Sequence, residues 1–366
     1  MRAQRILLVA NTAIFVGALA FLSYSPRAQA DDTAQSSLES GTWAKRISRA
    51  SPQYPEREAR KGVEGWVDVS FVISPEGVVD DLIVDASSGR KTFENETLRS
   101  VRKWRYEPAT LDGKPVEQCH TKVRIIFALE HKRTKRGARS RFKKEYAKAS
   151  AFLEQGELEE AKQTIDEIEK EHVTTLYESS RVWILRAMVS EKEGDTSKQL
   201  DSLTRAISGE NVYVEKNVYL GALSKTLGLE LDLKHYADAL GTIERLKKLD
   251  LDDGMAKRLD QLKIEIEAIR ADERVIAIDA TIGESREEHD GAGTWRHTLL
   301  RRTTGIEDIS GTLERVELRC EWHRVKAKPA KDRAWRIPPE WGDCSIYVIG
   351  EPGSTFQLLE YTTAPS

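Results

Sequence analysis

The side chains able to do covalent or metal chemistry are few and scattered. Three cysteines, Cys119, Cys320 and Cys344, and seven histidines are spread over 366 residues. Cys119 beside His120 has suitable donor atoms, but no second pair stands at zinc-ligand spacing, so no metal is expected. His289-Asp290 and Cys119-His120 are neighbours in sequence, which does not orient a base against an acid or a nucleophile. No H-E-x-x-H, G-x-S-x-G, phosphate-loop or C-x-x-C pattern occurs, and Gly291-Ala292-Gly293 lacks the third glycine of a dinucleotide site. The expectation is a protein that is not an enzyme and uses no cofactor. What the cysteines can do is cross-link. Of three pairings, Cys320 with Cys344 is favoured, because the loop between them holds Pro329, Pro338, Pro339 and Gly342. Closing such a loop stabilises a fold by about 3 kcal/mol. Three buried free thiols are the alternative.

A disulfide needs an oxidising compartment, and the N-terminus reads as the route to one. Residues 1–30 carry Arg2, Arg5 and Arg27 and no acid, so all 60 acidic residues lie beyond them. An apolar run over 6–22, broken only by Asn11 and Thr12, leads to Ala28-Gln29-Ala30 and then Asp31-Asp32. Basic start, apolar run and A-x-A site describe a signal peptide cleaved after Ala30. An uncleaved anchor over 6–25 is the alternative, since about 20 residues just cross a bilayer. Either way the body of the chain faces an oxidising compartment outside the cytosol. The formal charge of -3 gives no electrostatic reason to bind nucleic acid.

The elements behind these residues change period twice, and the expected fold class is α+β. After a linker over 31–44, residues 66–73 alternate with Val67, Val69, Phe71 and Ile73 on one face, a half-buried strand. Ser74-Pro75-Glu76-Gly77 supplies turn chemistry for a hairpin, and 78–84 returns. Phe93, Thr97, Leu98, Val101 and Trp104 fall at helical spacing, and 123–129 is an apolar run of strand length. A three-stranded antiparallel sheet with a helix across one face follows. Such a sheet has two edges, and an uncovered one offers unpaired N–H and C=O groups to an extended peptide.

Ser51-Pro52-Gln53-Tyr54-Pro55, then Gly65-Trp66-Val67-Asp68-Val69 leading to Pro75-Glu76-Gly77, then Arg102-Lys103-Trp104-Arg105-Tyr106-Glu107-Pro108, resemble the C-terminal domain of TonB-type energy transducers over about residues 45–130. The resemblance implies binding of an outer-membrane transporter peptide, or another periplasmic protein, by strand addition. The receiving edge would be 123–129, through Val123, Ile125 and Phe127, with Gln53, Tyr54 and Pro55 beside it. It also implies an inner-membrane motor complex as partner if the chain stays anchored. Three features depart from the family pattern: residues 6–25 contain no His, 31–50 contain no Pro, and more than 230 residues follow the domain. They bear on motor coupling rather than on the binding module.

No proline lies between Pro115 and Pro329, which fits helices over 140–271. Segments 142–155 and 157–171, 182–193 and 195–207, and 219–231 and 236–249 form three pairs, with 254–269 as a cap. The pairs resemble tetratricopeptide repeats, with Gly156 and Gly194 at the turns. Residues 272–366 read as strands 273–282, 295–302, 313–322, 344–349 and 355–361 of a β-sandwich-like domain, with Trp322, Trp335 and Trp341 gathered around the cross-link. The alternative function is a structural or assembly protein that uses its sheet and helices for scaffolding or as a homodimer.

Overall fold

A computed structural model describes residues 7–9, 41–129, 137–209, 213–284, 291–331 and 333–362. The cleavage point at Ala30, most of the leader and linker, and His289-Asp290 lie outside the described residues.

The chain starts with β1 (Leu7–Val9), β2 (Gly41–Thr42), β3 (Lys45–Ser48) and α1 (Glu56–Lys61). The hairpin follows as β4 (Gly65–Ile73) and β5 (Val79–Ser87), then α2 (Lys91–Val101). Three short strands, β6 (Arg105–Glu107), β7 (Ala109–Leu111) and β8 (Lys114–Val116), lead into β9 (Gln118–Phe127). The main sheet runs β1-β9-β4-β5, all antiparallel. Alternation along β4 sends Val67, Val69, Phe71 and Ile73 to one face, where α2 covers them with Phe93, Leu98 and Val101. The helix stops three residues before Trp104, yet Trp104 stays fully buried because its indole N–H donates to Ala50 O at 2.9 Å.

Seven helices fill the middle: α3 (Ser140–Gln155), α4 (Leu158–Glu171), α5 (Leu176–Glu193), α6 (Thr196–Ala206), α7 (Lys216–Asp232), α8 (Tyr236–Lys247) and α9 (Asp253–Ala271). Gly156 and Gly194 end α3 and α5 in the left-handed region, at φ 80° and 73°, where a side chain would be strained. α5 begins with a reciprocal cap, Thr175 accepting from Glu178 N–H while the Glu178 carboxylate accepts from Thr175 N–H. No described helix is long and apolar enough to cross a membrane.

The C-terminal section contains β10 (Ile276–Thr281), β11 (Gly293–Thr298), β12 (Thr303–Ser310), β13 (Leu313–Cys320), β14 (Arg324–Ala327), β15 (Ala334–Arg336), β16 (Cys344–Gly350) and β17 (Thr355–Tyr361). They form two four-stranded antiparallel sheets, β10-β17-β12-β15 and β11-β16-β13-β14. Ile306 and Leu358 of the first and Leu318 and Ile346 of the second share one core, which continues into α7 and α8. Cys320 pairs in register with Cys344 and is joined to it, while Cys119 is a buried free thiol. The strand expected over 295–302 is displaced: β11 runs Gly293–Thr298, and the chain bends before β12. β12, β14 and β15 have no counterpart among the expected strands. β12 interrupts its alternation with Gly305, and the other two are only four and three residues long. Trp335 shares a core cluster with Cys320 and Cys344, Trp341 packs against that cluster and stacks on His323, and Trp322 reaches Trp43 near the N-terminus with ring centroids 4.3 Å apart.

Candidate functional site

The hairpin turn explains its own motif. Gly77 lies at φ +75°, and a Cβ there would sit 1.8 Å from Tyr106 O. Tyr106 N–H in turn donates to Gly77 O at 2.8 Å, so the P-E-G turn and the R-Y-E-P segment hold each other. Gly65 is required for a similar reason, since a Cβ would fall 2.5 Å from the Phe93 ring.

Gln53, Tyr54 and Pro55 form a strap under the helix side of the sheet. Gln53 N–H donates to Glu96 at 2.6 Å. Tyr54 is buried, its ring edge-on to Phe93 and Phe127 and its hydroxyl donating to Val63 O at 2.5 Å. Burial, with Glu64 and Glu58 nearby, pushes the phenol pKa up. Tyr54 therefore positions the end of β9 from within the core rather than from its outer rim.

The side chains of Val123, Ile125 and Phe127 also point into this core, against α2. Their main chains are committed as well. Trp66 O accepts from Ser88 N–H at 2.9 Å and Trp66 N–H donates to Ser88 Oγ, so the Trp66 backbone faces β5. Peptide groups alternate direction along a strand, so Gly65, Val67 and Val69 face β9, where their partners are Phe127, Ile125 and Val123. The peptide groups that face outward are those of Arg124 and Ile126. In the structure these two stand opposite Val9 and Leu7, with β1 lying antiparallel along the edge. The sequence-predicted set is on this strand but one residue out of phase. The run V-R-I-I-F-A-L contains apolar residues on both faces, so its pattern does not reveal which residues look outward.

The second face of the sheet carries Trp66, Asp68, Ser70, Arg124 and Ile126. Arg124 donates to Asp68 through Nε at 2.6 Å and lies over the Trp66 ring. Burial pushes the Asp68 carboxyl up while Arg124 pulls it back down. This face is covered. Leu176 of α5 packs on Trp66 and Ile126 at one end. At the other end β16 brings Ser345 to His120, 3.1 Å apart, and Tyr347 to Ser70, 3.5 Å apart. His120 is pushed down to about 3 by burial and by Lys122, Arg296 and Arg319, so it stays neutral. Burial and Glu117 hold the Cys119 thiol up at about 12, which leaves it unreactive.

The β5 edge is covered too. Arg319 donates to Asp81 O at 3.0 Å and Arg205 to Ser87 O at 3.3 Å. Arg324 bridges Asp80, Asp81 and Glu117. At the start of β9, Cys119 N–H donates to Glu321 O.

Known proteins resemble this part of the chain. Residues 50–129 match the family described as Gram-negative bacterial TonB protein C-terminal. Over 69 residues the chain is 41% identical to Protein TonB of Escherichia coli (strain K12), covering 19% of this chain and 27% of that protein. Over 82 residues it is 37% identical to Protein TonB of Pseudomonas aeruginosa, covering 22% and 24%. The chain thus spans about a quarter of the length of these curated relatives. Among solved structures, the solution NMR structure of the Pseudomonas aeruginosa TonB CTD aligns at 29% identity over 24% of this chain and 87% of that one, with a TM-score of 0.21. The N-terminal α+β section is of the TonB C-terminal type.

Proposed function

We propose that this chain is a periplasm-facing TonB-like protein that captures an extended segment of an outer-membrane transporter, or of another periplasmic protein, by strand addition to β9 in energy-coupled transport. The observation that carries this reading is the contrast between β5 and β9, the two strands that flank β4 in its TonB-type sheet. β5 is closed by arginines from distant segments, whereas the outward peptide groups of Arg124 and Ile126 meet only the short strand β1 among the described residues. Main-chain bonds at such an edge give affinity, and side-chain pockets give selectivity. The tetratricopeptide-like helix pairs would add a second partner surface, and the C-terminal sheets a brace. A motor complex becomes a partner if residues 6–25 remain in the inner membrane.

Arg124→Pro removes one outward N–H, and Arg124→Ala retains it while losing the same side chain. A chain beginning at Asp31 should bind a transporter peptide, keep binding as Arg124→Ala, and lose it as Arg124→Pro. Equal binding by both variants would sink the edge reading.

A second reading, assembly or homodimer formation through the same edge, is favoured by β1, which shows the edge taken within the chain. Hydrogen exchange separates the two. Fast exchange of the Arg124 and Ile126 amides in the chain beginning at Asp31 supports an open edge, and protection supports assembly.

A further inference from the structure

The charges of this chain are unevenly placed. Residues 132–148 hold nine lysines or arginines and a single acid, Glu145, in a sequence whose acidic residues outnumber its basic ones 60 to 57. Within the described part of that stretch Arg139 is structural, since it donates to the buried Glu178 carboxylate and to His172 O. Arg141, Lys143, Lys144 and Lys148 of α3 are different. All four are exposed, and among the described residues none of them is ion-paired. Lys225, Lys247 and Lys263, exposed on other helices, each meet an acid instead: Glu191, Asp260 and Glu244.

This arrangement weakens the helix that carries it. α3 has no acid in its first turn, where the helix dipole favours one. Arg141, Lys144 and Lys148 stand three and four residues apart, so they share one face and repel each other. Neighbours on such a row are about 5–6 Å apart, inside the Debye length of about 8 Å, and therefore act together on an anion outside the chain. Ala147 leaves the row uncovered. Half-buried Phe152 lies under the Lys148 ammonium, 5.6 Å from the ring centroid, and adds an apolar contact beside the charges. A basic helix face with an aromatic ring at its margin suits a membrane surface. From Arg141 to Lys148 the row runs about 10 Å along the axis, which fits an array of headgroups better than one small anion.

We propose that the exposed face of α3 rests on an anionic phospholipid surface through Arg141, Lys144 and Lys148, with Lys143 at its margin. The choice of lipid over nucleic acid rests on the periplasm-facing reading above. The contact itself is separate from the β9 edge, so Arg124→Pro should leave it unchanged.

Vesicle flotation tests it on the chain beginning at Asp31, which lacks the apolar leader and keeps every described element except β1. Phosphatidylcholine vesicles with about a third phosphatidylglycerol should bind the chain at least about tenfold more tightly than phosphatidylcholine alone, and the difference should shrink as salt rises. Each charge near such a surface is worth about fivefold, so Arg141→Gln, Lys144→Gln and Lys148→Gln together should weaken binding about a hundredfold. Lys192→Gln, Lys257→Gln and Arg258→Gln remove as much charge from exposed positions on α5 and α9 and should have little effect. Equal losses in the two triple variants, equal binding to both lipid compositions, or no binding to either would overturn the proposal. So would a preference for poly-glutamate or duplex DNA over the vesicles at equal anionic charge, which would assign the face to an acidic protein or to nucleic acid.

Discussion

The two strands that flank β4 in the TonB-type sheet, β5 and β9, are treated in opposite ways. β5 carries two bulges, where its register against β4 slips between Asp68 and Val69 and between Ser70 and Val72. Asp81 sits at φ 42°, a conformation that a non-glycine residue adopts only under constraint. Carbonyls at both ends of β5 are taken by arginines more than a hundred residues away in sequence. β9 is regular from Thr121 to Phe127, with its single irregularity at the end held by Glu321. Bulges and capping charges are standard means of preventing a sheet edge from pairing. Their concentration on β5 marks that edge as closed, whereas β9 keeps a regular ladder along which β1 lies.

The largest expected effect separates neighbouring residues on β9. Ile125→Pro removes an N–H directed at β4 and should destabilise the sheet by about 3 kcal/mol or more in denaturant unfolding. Arg124→Pro, whose lost N–H faces outward, should cost under about 1 kcal/mol beyond Arg124→Ala. Equal losses would mean that the inward and outward assignments are wrong. The disulfide comes next. It ties β13 to β16, the strands that bring Arg319 and Ser345 to the sheet, across a sequence separation of 24. Cys320→Ser with Cys344→Ser should cost about 3 kcal/mol and should speed hydrogen exchange in β5 more than in β9.

A smaller loss is expected from Arg324→Met, which strands Asp80, Asp81 and Glu117 without their shared guanidinium. A hydrogen bond to a charged group is worth about 1.5–3 kcal/mol, and the accelerated amides should again be those of β5. Faster exchange confined to β9 would reverse the picture. The last measurement is a control placed away from both edges, and its effect on the contrast between β5 and β9 should be nil. Burial holds the Glu230 carboxyl at about 8, so between its unfolded pKa near 4.5 and 8 the unfolded state releases a proton that the folded state keeps. Stability should therefore fall as pH rises through that window, by up to about 1.4 kcal/mol per pH unit. Glu230→Gln should flatten this slope without changing the difference between β5 and β9.

Much of this architecture was legible because local chemistry dictated it. The alternation from Val67 to Ile73, the turn at Gly77, and the glycines at 156 and 194 place strand, hairpin and helix ends within a few residues. The phase of β9 was not legible, because Ile125 and Ile126 are both apolar and both buried, one under α2 and the other under Leu176. Nor was the closure of β5, which depends on Arg205, Arg319 and Arg324 arriving from remote segments.

Arg124 belongs to both sides of this arrangement, with its peptide group on the outer edge and its guanidinium on Asp68 beneath. A partner pulled along the axis of β9 would load its ladder in shear, with the bonds sharing the force, whereas a sideways pull would peel them one after another. Because α5 and β16 back the sheet where Arg124 and His120 cross it, such tension would pass into the helical and C-terminal sections. The exposed hairpin tip would be bypassed, and the downstream residues would act as a mount for the load.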